Sequence, residues 1–234
     1  MAKSEIKLLG VWASPYVNRV QIALNLKSVD YEFLEERFDN KSELLLKSNP
    51  VYKKVPVLIH DDKPVCESLI IVQYIDEVWT CGGSILPCDP YDRATARFWA
   101  AYIDDKWHPL MRELGTAEGE EAKAAIFEKV KEAMVVLEEA FTKCSKGSGF
   151  FGGERIGYVD IAFGSFLGWL KAGEKMEGLK LLDEAATPGL AAWSERFCSH
   201  EAVKGVIPET ERLLELAHII KQARLKAEAQ SAPN

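Results

Sequence analysis

Hydrophobic and polar positions in the first 80 residues alternate between strand-like and helix-like patterns. An apolar run over residues 6–12 predicts a first strand. Ser14 then offers a capping hydroxyl and Pro15 occupies the first helical position, so a helix is predicted from there to about Lys27. A second strand over 31–35 returns beside the first, and this β-α-β order makes the pair parallel.

Two more strands and a second helix follow in the same region. Residues 55–59 and 64–66 are apolar and flank the polar tetrapeptide 60–63, which predicts a hairpin. Glu67 and Ser68 then open a helix that extends to about Trp79 and carries apolar residues on overlapping faces. We therefore predict an α/β domain over residues 1–80.

The rest of the chain reads as helical. Gly82, Gly83 and Pro87 mark a composition break, so residues 81–88 are predicted to link two domains. Asp89 and Pro90 repeat the signature of a cap followed by proline and begin a helix to about residue 114. A later helix carries an apolar stripe: Ile126, Val130, Ala133, Leu137 and Ala140. Further helices are predicted at 158–172, 188–199 and 208–227, giving an all-helical domain over 89–234.

Composition excludes several classes of partner. The 234 residues carry a formal net charge of −7 and a pI of about 5.3, which gives polyanions such as nucleic acids little attraction. No segment approaches the ~18 consecutive apolar residues of a membrane-spanning helix. The N-terminal residues lack the features of a secretory signal, and the five cysteines show no C-x-x-C spacing. We therefore expect a cytosolic protein with reduced thiols.

Several familiar catalytic patterns are missing from the sequence. The four histidines have no metal-binding spacing, and there is no G-x-S-x-G motif, so neither a metal site nor a serine hydrolase is predicted. The glycine-rich segment 147–153 lacks the Lys-Ser/Thr of a phosphate-binding loop and reads as a connection between helices.

Three places in the first domain allow both a structural and a functional interpretation. Ser14 can cap a helix only, or its hydroxyl and the helix N-terminus can together stabilise an anion. Pro56 can simply begin a strand at the edge of the sheet. Alternatively, a cis bond before it can leave the backbone of Val55 free to pair with an extended peptide. Glu67 and Ser68 can simply start a helix, or they can bind a carboxylate and an ammonium group. Spacing alone favours the cap at Ser14 and at Glu67.

Taken together, these segments resemble a known family. The stretches WASP at 12–15, KKVPVL at 53–58 and CESLI at 66–70 are similar to the glutathione-binding segments of glutathione transferases. The order of elements matches the thioredoxin-like domain of that family. The resemblance is strongest to the tau class of plants and covers most of the chain: 8–15, 40–42, 49–50, 54–58, 67–69, 73–77, 89–91, 151–153 and 157–162.

The resemblance implies a function and a set of site residues. Ser14 would be the catalytic hydroxyl that hydrogen-bonds the glutathione sulfur. The tripeptide would lie against Ser14, Lys41, Lys54, Val55, Glu67 and Ser68. A hydrophobic acceptor site would be formed by Val11, Trp12, Phe38, His108, Arg112, Trp169 and Leu216. Gly157 and Asp160 correspond to the capping pair of a helix, with a structural role.

The expected activity is conjugation of the glutathione thiolate to hydrophobic electrophiles, which serves xenobiotic detoxification and stress responses. Glutathione peroxidase activity could accompany it, because the same thiolate can attack an O–O bond. Glutathione is the co-substrate, and no metal or other cofactor is implied. A homodimer is expected from the resemblance. The alternative is a non-catalytic carrier of hydrophobic metabolites or hormones.

Overall fold

A mixed four-stranded sheet lies between helices in the first part of the chain. The computed structural model describes residues 4–37 and 40–231. The elements are β1 (Ile6–Gly10), α1 (Pro15–Leu26), β2 (Glu32–Glu35), α2 (Glu43–Ser48), β3 (Val57–His60), β4 (Lys63–Cys66) and α3 (Ser68–Val78). The strand order is β2-β1-β3-β4, in which β1 and β2 are parallel while β3 runs antiparallel to both β1 and β4. The predicted parallel pair and the hairpin are therefore confirmed.

Both faces of the central strands β1 and β3 are buried, which explains why these two strands are apolar at successive positions. Leu8 and Leu58 belong to the large core that includes α1 and α3. Leu9 and Val57 point to the other face, where they pack with Leu45 of α2. The short helix α2 lies in a stretch for which the sequence pattern predicted no element. The first strand ends at Gly10, two residues before the predicted end.

The second part of the chain is helical, as predicted. Its helices are α4 (Pro90–Tyr102), α5 (His108–Leu114), α6 (Glu120–Ser145), α7 (Tyr158–Gly164), α8 (Leu167–Glu177), α9 (Pro188–Ser199) and α10 (Thr210–Ser231). A π-helical turn, Ile103–Trp107, joins α4 to α5. The helix predicted over 89–114 therefore contains a change of helical type. The helix predicted over 158–172 is instead two helices, α7 and α8. None of the described helices is both long and apolar enough to cross a membrane.

The connection between α3 and α4 is held by a buried ion pair. Lys27 Nζ lies 2.7 Å from Asp76 Oδ1 and donates to the carbonyl oxygen of Gly83. The Asp76 carboxylate also accepts the backbone N–H groups of Ile85 and Leu86 at 2.8 and 2.9 Å. Burial opposes ionisation of Asp76, but these hydrogen bonds outweigh it and keep the pKa of Asp76 below its usual value. The assignment of 81–88 as a domain linker stays a prediction, although no helix or strand occupies those residues.

Asp160 organises the helical part from inside its core. Its fully buried carboxylate accepts four hydrogen bonds of 2.7–2.8 Å, from the backbone N–H groups of Phe151, Gly152 and Gly157 and from Nε1 of Trp193. Burial raises the pKa of Asp160 to about 6, against the opposing effect of these donors. The side chain therefore joins the 151–157 loop, the start of α7, and α9.

Asp160→Asn is expected to destabilise the protein strongly. Asparagine has one acceptor oxygen, so at least one pair of donors loses its acceptor and faces an NH₂ group instead. We expect a loss of about 2–4 kcal/mol in the free energy of unfolding, measured by urea denaturation. Glu139→Gln is the control: it removes an exposed ion pair with Lys143 and should cost less than about 0.5 kcal/mol. Equal losses in the two variants would contradict this role of Asp160.

Candidate active site

The segments that resemble glutathione-binding segments all lie at one end of the strands. Gly10 pairs with Glu35, Leu9 with Val57, and Val57 with Cys66. The residues that follow β1, β2 and β4 and those that precede β3 must therefore lie at the same edge. This geometry brings Ser14, Val55, Glu67 and Ser68 to one end of the sheet.

Ser14 is the N-cap of α1. Its backbone is extended, and its Oγ accepts the N–H of Val17 at a long distance of 3.4 Å. The structural interpretation of Ser14 as a cap is thus confirmed. The residue is half-buried, and the hydroxyl proton takes no part in the bond to Val17. Ser14 can therefore donate to an anion that lies at the positive end of α1.

The N-terminus of α3 has no side-chain cap. Glu67 precedes the helix with a φ of 69°, a conformation that L-residues rarely adopt, and its side chain makes no capping bond. The first N–H groups of α3, from Ser68 to Ile70, have no carbonyl one turn before them. This end of the helix is consequently suited to bind a carboxylate, with the exposed Glu67 side chain beside it.

The segment before β3 presents an unpaired backbone. The Val55–Pro56 peptide bond is cis, and within the described residues the Val55 backbone makes no hydrogen bond. Asn49 fixes the preceding loop, because its side chain donates to the Lys54 carbonyl at 3.0 Å and accepts the Tyr52 N–H at 3.1 Å. Lys54 is exposed and forms no ion pair with a described residue.

A buried guanidinium links this edge to the helical part. Arg19 of α1 is fully buried and forms two hydrogen bonds with Asp104, of 2.9 and 2.6 Å. It also donates to the Ala162 carbonyl at 2.8 Å and to Ser68 Oγ at 3.2 Å. One side chain therefore joins α1, the N-terminus of α3, the π-helical turn and α7.

Side chains of α5, α8 and α10 contact the first turn of α1 and the two residues that precede Ser14. Trp169 Nε1 donates to the Ala13 carbonyl at 2.7 Å. The Arg212 guanidinium lies 3.7 Å from the centre of the Trp12 ring. His108 Nδ1 lies 3.2 Å from the hydroxyl of Tyr16.

Comparison with known proteins identifies the family. A family model described as "Glutathione S-transferase, N-terminal domain" matches residues 4–77, and the corresponding C-terminal domain model matches 98–201. Glutathione S-transferase U17 of Arabidopsis thaliana is 60% identical over 218 residues, which cover 93% of this chain and 96% of the relative. Glutathione S-transferase U16 of the same plant is 56% identical over 98% of this chain and 97% of its own length. The chain belongs to the tau class of glutathione S-transferases.

Solved structures of this class share its fold. A tau-class glutathione S-transferase from mango, Mangifera indica, is 62% identical and superimposes with a TM-score of 0.90 over 92% of this chain and 98% of the other. A rice transferase in complex with glutathione is 36% identical, with a TM-score of 0.86 over 95% and 99% of the two chains. The predicted thioredoxin-like domain followed by a helical domain is therefore confirmed for this tau-class transferase.

The residues expected in the acceptor site occupy different environments. Val11 is buried in the core. Trp12, Trp169 and Leu216 are half-buried and pack around Ala13. His108 is half-buried and Arg112 is exposed one turn further along α5. Phe38 lies outside the described residues.

Among the residues assigned to glutathione, Lys41 is exposed beside Ser42, the N-cap of α2. The buried Glu36 accepts the Ser42 N–H at 3.0 Å and so fixes this end of the loop. The assignments of Lys41 and the other side chains to glutathione or the acceptor stay predictions.

Sequence reasoning missed Tyr16, Arg19 and Asp104. Arg19 lies among apolar residues of α1, and an arginine on a buried helix face requires partners, which is the signal that the sequence offered. Its main partner is 85 residues away in the chain, a pairing that no local pattern indicates.

Arg19→Lys is expected to destabilise this transferase although it keeps the charge. Lysine cannot reproduce the two parallel bonds to Asp104 and also reach Ala162 and Ser68. We expect a loss of about 2–4 kcal/mol in unfolding free energy and a higher KM for glutathione, because Ser68 loses a partner. Arg196→Lys is the matched control, since that exposed guanidinium donates to the Gly149 carbonyl and should lose less than about 0.5 kcal/mol. Similar losses in both variants would contradict the central role of Arg19.

Proposed function

We propose that this transferase conjugates the glutathione thiolate to hydrophobic electrophiles, with Ser14 as the group that stabilises the thiolate. The observation that carries this proposal is the position of the Ser14 hydroxyl, at the positive end of α1 and on the same sheet edge as the open N-terminus of α3. Xenobiotic detoxification and stress responses are the roles that such chemistry serves.

The chemical requirement is ionisation of a thiol. A free thiol has a pKa of about 8.5 and is mostly protonated at neutral pH, and each unit of depression corresponds to about 1.4 kcal/mol of thiolate stabilisation. A hydrogen bond from Ser14 and the dipole of α1 both favour the anion. The serine keeps its proton and acts as a donor, not as a nucleophile.

The tripeptide matches the charges and free backbone groups at this edge. Its γ-glutamyl carboxylate can meet the N–H groups of Ser68 and the next residues, while its ammonium pairs with Glu67. The backbone of Val55 can pair with the cysteinyl residue, and the glycine carboxylate lies towards Lys41 and Lys54. A rice relative whose structure is in complex with glutathione supports glutathione as the ligand.

The acceptor would enter between the two parts of the chain. Trp12, Trp169 and Leu216 offer apolar surface there, next to Ser14.

The same thiolate can attack an organic hydroperoxide, which gives an alcohol and the sulfenic acid of glutathione. A second glutathione then reacts with the sulfenic acid and gives the disulfide and water. Peroxidase activity is therefore part of the proposal. Strong binding of hydrophobic compounds without turnover would favour a carrier instead.

Ser14→Ala tests the proposal directly. The variant should bind glutathione with similar affinity but should raise the pKa of the bound thiol by about one to two units and lower kcat with 1-chloro-2,4-dinitrobenzene by about 10–100-fold at pH 6.5. The thiol pKa is measured from thiolate absorbance at 240 nm, and the affinity by calorimetry.

Ser14→Thr is the control for this experiment, because it keeps the hydroxyl and the cap. It should retain more activity than the alanine variant. Turnover of Ser14→Ala at the rate of the unmodified protein at pH 6.5 would exclude Ser14 as the stabilising group.

We also propose a cytosolic homodimer. Three large apolar side chains are exposed on α3 and α4: Ile70, Tyr91 and Phe98. Tyr91 and Phe98 lie two helical turns apart, and the bonds from Arg97 to Gln73 hold the two helices together. Such a patch is typical of an interface.

The five cysteines are free thiols, which fits a reducing compartment.

Phe98→Glu is expected to produce monomers. The unmodified protein should have about twice the 26.2 kDa mass of one chain in light scattering after size-exclusion chromatography. A charge placed at the centre of an apolar interface should dissociate it at micromolar concentration. Ile219→Glu is the matched control, because Ile219 on α10 is as exposed as Phe98, at 61%, yet lies away from the patch. Dissociation by both variants, or by neither, would contradict this interface.

A further inference from the structure

A cavity of about 540 Å³ lies at the opposite end of α1 from Ser14. Helix α1 has 12 residues and is therefore about 18 Å long, which separates this cavity from the proposed position of the thiolate. None of the described residues assigned to glutathione or to the acceptor lines it. Its walls come from five segments of the chain: 25–26, 28–30, 82–85, 155–156 and 200–202.

Hydrogen bonds between these segments hold the cavity in shape. Lys27 Nζ donates to the Gly83 carbonyl, and the first N–H of α7 donates to the Ile85 carbonyl at 3.0 Å. The side chain of Asn25 joins the end of α1 to the turn after α9, because it donates to the Ala202 carbonyl at 3.0 Å. A preformed cavity of this kind has little ordering cost to meet when a ligand binds.

Arg155 is a charged group of this cavity that has no partner. Its side chain is exposed, and it forms no hydrogen bond or ion pair with the residues that the structure describes. Arg155 Nη1 lies 2.6 Å from the position that a Cβ on Gly83 would take, so the guanidinium lies close against the backbone there. Glu201 pairs with Lys204, and Asp30 is not free either. The Arg155 guanidinium is therefore available to an anionic ligand.

His200 adds a neutral donor to the same cavity. Its Nδ1 accepts the Ala202 N–H at 3.1 Å, so the ring proton is on Nε2. Within the described chain this Nε2 has no partner, and it is accessible to solvent, because Trp107 Nε1 is the sole buried side-chain nitrogen or oxygen there without one. The ring meets Phe150 edge to face, with centroids 6.2 Å apart. The imidazole therefore offers an N–H to a ligand.

The chemistry of the walls favours a monoanion with an apolar body. A guanidinium binds a carboxylate through two parallel hydrogen bonds. Two carboxylates, of Asp30 and Glu201, line the same cavity, so their repulsion disfavours a dianion such as a phosphate ester. Four aliphatic side chains supply apolar surface for a ring or a chain: Leu26, Val29, Ile85 and Ile156.

We propose that this cavity binds monocarboxylic acids that carry an apolar ring or chain, with the carboxylate held by Arg155 and His200. The volume suits a body of about 10–18 non-hydrogen atoms. The acid is a ligand and not a substrate, since no thiolate lies at this end of α1. Binding needs no glutathione, so the site is independent of the proposed conjugation.

The test compares 4-phenylbutanoate with its uncharged analogue 4-phenylbutanamide by calorimetry near neutral pH. The acid should bind with a Kd on the order of 100 μM and the amide about tenfold more weakly. In Arg155→Met the acid should bind about tenfold more weakly, while the amide keeps its affinity, because only the charged contact is removed. The melting temperature of each variant shows that it is folded.

Arg196→Met is the matched control for this variant. It removes the same charge from an exposed arginine that donates to the Gly149 carbonyl and does not line the cavity. Both compounds should bind to it as they bind to the unmodified protein.

Two further measurements locate the ligand. Saturating S-hexylglutathione, which would occupy the proposed glutathione and acceptor sites, should leave the Kd of the acid unchanged. The acid should also shift the ¹⁵N signal of His200 Nε2, and the amide should shift it less. If S-hexylglutathione itself does not bind, the proposed function is contradicted while this site is not.

Four results would overturn the proposal. Equal affinity for acid and amide, or unchanged acid binding in Arg155→Met, means that the guanidinium holds no carboxylate. Displacement of the acid by S-hexylglutathione places it in the active site instead. Absence of acid binding up to about 10 mM means that the cavity is not a site for this class of ligand.

Discussion

The guanidinium of Arg19 is the group on which the arrangement of the active site depends. A fully buried cation is tolerated only when its donors are satisfied, because an unpaired one costs several kcal/mol. Asp104, Ala162 and Ser68 supply the acceptors, and each comes from a different element. The orientation of α1 relative to α3 and to the helical part is therefore fixed around one side chain, close to the turn that carries Ser14.

Asp104, the partner of Arg19, lies in the π-helical turn between α4 and α5. A π-turn accommodates one extra residue, so everything after it is rotated by about 100° relative to a continuous α-helix. Ile103 and Trp107 point into the core while Asp104 faces Arg19. The same rotation turns His108 towards Tyr16. A regular helix over the same residues would present a different face of α5 to the cleft.

Sequence alone predicts those features of this fold that depend on residues close together in the chain, and it misses those that depend on distant residues. The cap at Ser14, the hairpin before α3 and the apolar stripe of α6 depend on neighbours within a few residues, and the structure has all three. Helix α2 was missed because only Leu45 is buried, against Leu9 and Val57 of distant strands. The Arg19 pair and the π-turn were missed for the same reason: tertiary contacts decide them, and one sequence does not show which distant residues meet.

The sequence left two roles open for Ser14, a helix cap and a donor to an anion, and a single hydroxyl can fill both. The oxygen accepts the N–H of Val17 with a lone pair, and its single proton is free to donate to sulfur. A hydrogen bond to a charged group contributes about 1.5–3 kcal/mol, and a helix terminus about 0.3–1 kcal/mol more. Two pKa units of thiol depression require about 2.7 kcal/mol. These two effects therefore suffice for ionisation near neutral pH without a base, which agrees with the engagement of His108 by Tyr16.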